Sequence, residues 1–424
     1  MSNAAQDNAG PLTTVDGTPL KVSLARALRR EKLKSLALVA PLFVFIAVSF
    51  LLPIADMLWR GIEDPSVSTN LPRTTQEIQN WDSTSGELPD ENVFEALVLD
   101  IKEGAKDKLI TRVGKRLNYE LPGMSSLFRK SQRRVPKLDD EGPYKETLIK
   151  LDKKWGNIET WQLLKTFSPA YTAGYFYAAL DLQVTPAGDV ELLPNDRRIY
   201  LKLFWRTIYL SLFITLMTLI LGFPVAYLLA TLPLKSSNML LMLVLLPFWT
   251  SLLVRTTSWI ALLQREGVLN DLLVSVGFID TGNRLSMIHN ATGTVVAMTH
   301  ILLPFMILPL YSVMKTIPPS YMKAAISMGA HPYHAFLKVY APNTIPGIGA
   351  GAILVFILSI GYYITPALVG GTSGTFISNF IAYHVSSSLN WGLAAALGII
   401  LLGLVLVLYL LYDRIVGIDN MKLG

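Results

Sequence analysis

The chain has 424 residues, of which 51% are hydrophobic and only 16% charged, and its mean hydropathy is positive. That balance excludes an ordinary soluble domain and points to the bilayer. It contains no cysteine, which excludes disulfides, thiolate metal sites and cysteine nucleophiles. Residues 60–200 carry about 20 basic and about 22 acidic side chains, so nearly all of the net charge of +6 belongs to the more hydrophobic remainder.

Residues 1–34 form a basic tail. Its start, Met1 to Lys21, is polar and lacks apolar periodicity, so disorder is expected there. Arg26, Arg29, Arg30, Lys32 and Lys34 then precede an apolar run within 35–59 that is long enough to cross about 30 Å of hydrocarbon. The run is too long for a secretory signal and has no convincing small-residue cleavage site, so a retained first span is expected. Residues 60–200 are too long for a plain loop and should form an inserted domain. Asp90 is placed to cap a helix through NVFEALVLDIKEGAKDKLITRV, and a second helical stretch covers Tyr144 to Phe167. LDLQVTPAGDVELL reads as a hairpin around a Pro-Ala-Gly-Asp turn.

Five further spans are expected near Trp205–Leu232, Met239–Leu263, Thr292–Lys315, Ile345–Val369 and Trp391–Tyr412, making residues 201–424 a five-span core. Pro224, Pro247, Pro304 and Pro309 fall inside them, as kinked and packed membrane helices tolerate. With six spans, the basic N-terminal cluster, Lys235, the loop with Lys315, Lys323 and Lys338, and the end with Arg414 and Lys422 share one side, the cytoplasm. Both termini are then cytoplasmic and the insertion faces outward.

Between the fourth and fifth spans, within 316–346, lies YMKAAISMGAHPYHAFLKVYAPNTIPG. Ser320 is placed to cap a short helix to Met328, Gly329 to end it, and a second helix is expected from Pro332 to Tyr340 before Asn343 to Pro346 redirect the chain. The small residues Ala324, Ala325, Gly329 and Ala330 would let another protein approach closely. The stretch resembles the EAA loop of ABC importer permeases: Ala324, Ala325, three residues, Gly329, then Val339, Tyr340, Ala341 and Pro342 where the family has Ile, any residue, Leu and Pro. Lys323 stands where Glu is usual. WRTIYLSLFITLMTLILGFPVAYLLA, VRTTSWIALLQREGVLN, ILLPFMILPLYSVM and TPALVGGTSGTFISNFI are similar to segments of spermidine/putrescine-type permeases, whereas residues 60–200 resemble nothing known to us.

The resemblance implies an all-α polytopic protein of the type I ABC importer permease fold in the bacterial inner membrane. Lys323, Ala324, Ala325, Met328, Gly329, Ala330 and Pro342 would dock in a cleft of an ATPase subunit. It implies a second permease subunit, expected to be a different chain, two ATP-binding subunits that use ATP and Mg, and a periplasmic substrate-binding protein. The substrate would be a polyamine or related organic cation; another solute such as an opine, or an ion-driven secondary transporter, is the alternative. No phosphate-loop motif occurs in the chain, so it should hold no cofactor, and nothing in it points to nucleic acid or to catalysis. Gly347, Gly349 and Gly351 read as small-residue helix packing. His331 and His334 are three apart but lack a third ligand, so no metal is expected.

The expected spans after residue 200 contain no acidic residue. A cationic solute would therefore meet aromatic faces, for which Trp249, Trp259, Tyr362 and Tyr363 are available, or the belts those residues form at membrane interfaces. Arg255 reads either as a cation facing a cavity or as an interfacial residue beside Thr256, Thr257 and Ser258. His300 reads either as a proton relay or as an imidazole bonded to a neighbouring helix.

Overall fold

The computed structural model describes residues 20–107, 109–138 and 142–416. The expected disordered start at Met1 to Lys21 falls almost wholly outside these, as does Lys422. The chain divides into two units, residues 1–59 and 60–424. In the first, α1 (Leu20–Ile46), a π-turn (Ala47–Leu51) and α2 (Leu52–Trp59) give an apolar span over Leu24–Trp59 with none of its window buried. A helix apolar on every side suits lipid rather than water.

The second unit begins with α3 (Ser66–Asn70), α4 (Pro72–Ile78), α5 (Glu91–Gly104), α6 (Ile110–Leu117), α7 (Met124–Arg134), α8 (Tyr144–Leu151), α9 (Ile158–Thr166) and α10 (Gly174–Ala179). The expected helix from Asn92 to Val113 is two helices, because a Cβ at Gly104 would strike Ile110 and the chain turns there. Asp90 sits at the N-cap position of α5, but its side chain makes no capping bond. Glu91 instead accepts from the Tyr144 and Lys145 amides and so caps α8. The stretch from Tyr144 to Phe167 is likewise two α-helices with a 3₁₀ turn between them. Phe94, Leu97, Ile101, Phe128, Trp155 and Trp161 lead one dense core. The hairpin is present, with β1 (Leu182–Val184) antiparallel to β2 (Val190–Leu192).

Two polar nodes join these helices to the membrane part. Arg116, buried, donates to Asp64 and to Glu120 (2.8 Å), with its guanidinium 4.8 Å from the Phe167 ring and 4.7 Å from the Tyr175 ring. Burial alone would lower the pKa of Arg116, but Tyr175, Asp64 and Glu120 outweigh it and raise it, whereas burial pushes the Tyr175 phenol up. The Tyr175 ring packs on Gly392. Asp181, fully buried, accepts from the amides of Ile199, Tyr200 and Leu201 at 2.8–3.0 Å and caps the next helix.

That helix is α11 (Tyr200–Thr231), followed by α12 (Leu234–Leu245), α13 (Leu252–Leu263), α14 (Val268–Ser275), α15 (Ala291–Thr316), α16 (Pro319–Ser327), α17 (Pro332–Ala335), α18 (Ala341–Gly361), α19 (Ile364–Val369), α20 (Gly371–Gly374), α21 (Ile377–Ser386) and α22 (Trp391–Val416). Among the described residues five helical segments are long and apolar enough to span, or six if one bent pair counts as a span. α11, α15 and α18 pack on one another, and α22 lies against α10, α18 and α21. A Cβ on Gly351 would stand 3.2 Å from the Met306 carbonyl oxygen, so the absence of a side chain sets how closely α18 approaches α15.

Two expected boundaries are corrected. The third span, expected from Met239 to Leu263, is broken: α12 runs into a 3₁₀ turn (Leu246–Trp249), Thr250 and Ser251 are extended, and the two arms meet at 97°. Pro247 removes a donor, and the Ser251 hydroxyl accepts from the Val254 amide to start α13 afresh. The fifth span, expected from Ile345 to Val369, runs instead from Pro332 to Gly361 and then breaks before α19. Asn343 to Pro346 do not redirect it, because a π-turn (Phe336–Tyr340) shifts the bonding register ahead of Pro342 and Asn343 Nδ2 donates to the Val339 carbonyl (2.6 Å).

Candidate functional site

The α16–α17 connection is built from its termini. α16 begins with Pro319 at its first position, which has no amide to leave unpaired, so Ser320 lies inside the helix and is not its cap. At its end the Ala330 amide donates to the Ala325 carbonyl (3.1 Å) and the Gly329 amide to the Ile326 carbonyl (2.9 Å). These two bonds form a Schellman motif, and Gly329 has the φ of +91° that the motif requires. The His331 side chain accepts from the Tyr333 amide (3.3 Å) and starts α17.

Lys323, Ala324, Met328 and Gly329 are exposed, Met328 at 82%, while Ala330 is half-buried and Ala325 buried. Exposed Tyr321, Ile326, Tyr333 and Leu337 add apolar surface to the same connection. Lys323 makes no ion pair among the described residues. Pro342 is exposed at the start of α18, beyond the π-turn, where the helix continues without a gap to Gly361. Below the exposed face, Phe336 meets Phe223 and Tyr227 edge-on at 6.2 and 5.6 Å and stacks on Tyr340 at 5.5 Å. The connection is therefore clamped to α11 as well as fused to α18. The sequence reading missed this cluster, although Phe223/Tyr227 and Phe336/Tyr340 both carry the spacing of four that stacks side chains on one helix face.

At the other end of α18 the sequence-nominated aromatic residues separate. The Trp259 indole donates to Nδ1 of His300 (3.1 Å), joining α13 to α15 and fitting the reading of His300 as a bonded imidazole. Among the described residues Arg255 pairs with no carboxylate: its guanidinium donates to the carbonyls of Pro247 and Thr250 and closes the bend between the broken arms. The charge is met by backbone carbonyls that the break leaves without helical partners. Thr256 bonds Thr365 (3.2 Å) beside it. Tyr362 and Tyr363 form the break after α18, where their carbonyls accept from Ser378 Oγ (2.6 Å) and Asn379 Nδ2 (2.7 Å). Trp249 is 80% exposed at the bend. The nominated residues thus make separate local contacts, at the bend, on His300 and at the break after α18, and the Thr256–Thr365 bond joins α13 to α19.

A family model described as "binding-protein-dependent transport system inner membrane component" matches residues 220–417. The spermidine/putrescine transport system permease protein PotB of Escherichia coli K12 is 34% identical over 222 residues, covering 52% of this chain and 80% of that protein. The inner membrane ABC transporter permease protein YdcU of the same organism is 32% identical over 260 residues, covering 57% and 80%. Among solved structures, a bacterial alginate ABC transporter in complex with an alginate-pentasaccharide-bound periplasmic protein matches with a TM-score of 0.43 and 17% identity, over 53% of this chain and 80% of that one.

Proposed function

Because the chain belongs to the family of binding-protein-dependent transport system inner membrane components and is a permease subunit of an ABC importer, we propose that it carries a small organic cation of the polyamine class. Similarity to spermidine/putrescine permeases supports that cargo. In this reading an extracytoplasmic binding protein delivers the solute, a second permease chain completes the path, and two partner subunits bind ATP and Mg. Both termini and the α16–α17 connection face the cytoplasm, and the insertion faces outward.

The observation that carries the coupling role is the continuity of α17, the π-turn and α18. Thirty helical residues extend roughly 45 Å, enough to cross the hydrocarbon. An ATPase cleft gripping Lys323, Ala324, Met328 and Gly329 would tilt this rod through its base and move Tyr362 at its far end. The clamp of Phe336 on α11 spreads the same motion to a second span. Closure shifts the transporter only by the difference in contact energy between the two ATPase states, so the grip must be specific. Along the path, aromatic faces at Trp259, Tyr362, Tyr363 and Trp249 offer weak attraction to a cation. Chemical selectivity rests on the binding protein.

The test is Gly329→Trp in the complex purified with its partners, with Gly329→Ala as control. Both carry the left-handed backbone penalty of about 1–2 kcal/mol, and a Cβ at Gly329 meets nothing within 4 Å, so only Trp adds bulk to the docking face. Gly329→Trp should lose at least tenfold in uptake and in ATPase stimulation by loaded binding protein, while Gly329→Ala retains most of both. Wild-type behaviour of the Trp variant would remove the docking claim. Uptake of labelled putrescine or spermidine, competed by unlabelled analogues, decides the cargo separately.

A further inference from the structure

We propose that the β1–β2 hairpin is a membrane-interface element, with Val190 and Leu192 resting among the lipids of the leaflet on the insertion's side. The pairing Leu182 with Leu192 and Val184 with Val190 puts four aliphatic side chains on one face, and Gln183 with Glu191 puts the polar pair on the other. Val184 packs against the insertion's own core and fixes the roll of the hairpin. On the outer strand the apolar face is open, with Val190 46% and Leu192 57% exposed.

The position of this face identifies its occupant. Asp181, just before β1, caps the first turn of the α11 span through three backbone amides, and its carbonyl accepts from the Leu193 amide (3.0 Å), just after β2. Both strand ends are therefore tied to the point where α11 begins. Trp205, 71% exposed, lies in the second turn of α11, about 8 Å along its axis, the setting in which indoles mark the headgroup level. Ile199 and Leu201 are also exposed at the start of the span. An apolar strand face held at the point where a span begins favours lipid over a docked protein.

The absence of cysteine makes the test direct. Val190→Cys, Glu191→Cys and Leu192→Cys would each be spin-labelled in the full transporter complex, reconstituted in phosphatidylethanolamine–phosphatidylglycerol vesicles. Collision with oxygen, which partitions into lipid, is compared with collision with a water-soluble nickel chelate. Labels at 190 and 192 should favour oxygen at least about threefold relative to the label at 191, giving a period of two. Nickel access at all three positions would place the hairpin in water, and exclusion of both reagents at 190 and 192 would place it under a protein partner; either result overturns the proposal. As an independent check, a nitrobenzoxadiazole label on Leu192→Cys should be quenched by a nitroxide near the lipid headgroup more than the same label on Glu191→Cys, and equal quenching would count against it.

Discussion

The insertion and the membrane core are both helical, yet different forces hold them. Residues 60–199 bury large aromatic and aliphatic side chains around Trp155 and Trp161 and tie polar residues into ion pairs such as Lys130–Asp152. In water, that burial drives folding. The core also buries apolar side chains such as Met298, Leu302 and Met306 between its helices, but against lipid their burial supplies little of that drive, and it adds glycine contacts and hydroxyls returned to backbone carbonyls, as in Thr207 to Leu203 and Ser237 to Leu229. One region is built to keep its shape, while the other has a rod, a bend and two helix breaks at which shape can change.

That contrast can be broken most forcefully in the insertion. Trp155→Ala should destabilise it by about 3–5 kcal/mol, seen as rapid proteolysis within 60–199 while the spans stay protected in the membrane. Joint loss of both regions would show that the core depends on the insertion's packing. Arg116→Met should cost a similar 3–5 kcal/mol by leaving buried Asp64 and half-buried Glu120 without their cation, and should loosen the contact of Tyr175 with Gly392 as reported by cross-linking between α10 and α22.

In the core, Gly351→Leu should cost about 1–3 kcal/mol by forcing α18 from α15, measured as a lower melting temperature in detergent and a loss of uptake beyond any loss of expression. Trp259→Phe removes one hydrogen bond to His300 and should cost only about 1 kcal/mol, lowering transport rate without altering which solute is taken. A changed selectivity would move solute recognition from the binding protein into this chain. The smallest effect is one of pH. Burial would raise the pKa of Asp152, but Lys130 and the Lys154 amide outweigh it and hold it below the usual carboxylate range. The contribution of this group is present above the unfolded pKa near 4 and is lost as pH falls through the lower folded value. Asp152→Asn should flatten the acid limb of the insertion's stability by less than about 1 kcal/mol, given how exposed the pair is.

Local patterns made much of this legible from sequence. The long apolar runs gave the spans, the Pro-Ala-Gly-Asp turn gave the hairpin, and Gly329 gave the end of α16, each because a few neighbouring residues decide the outcome. The bend at Thr250 and Ser251 was hidden inside an unbroken hydrophobic run, although Pro247 and a serine placed to cap were both in view. The continuity past Pro342 and Pro346 leaves no mark in the Asn343–Pro346 stretch, because it depends on the π-turn that precedes it. The ties of Arg116 to Asp64, of Asp181 to the start of α11 and of Tyr175 to Gly392 leave no periodic trace, since each joins residues well apart in the chain; only the Arg116–Glu120 pair has helical spacing. At the candidate site, the turn at Gly329 was readable from spacing, whereas the burial of Ala325 and the bonding of Arg255 depend on packing and on the bend.

The π-turn between Phe336 and Tyr340 also acts as a phase setting. Such a turn is a regular helix holding one residue more than it needs. Deleting one residue there would restore ordinary winding and leave the helix before it nearly in phase, because four residues at about 100° each turn through almost the angle that five take in the wider turn. Deleting one residue from the regular helix just after Tyr340 would instead rotate everything before it by about 100° about the axis of α18, turning the surface at Met328 by a quarter-turn or more with every side chain of that surface still in place. The direction of that surface is thus recorded in the length of the chain as much as in the identity of its residues.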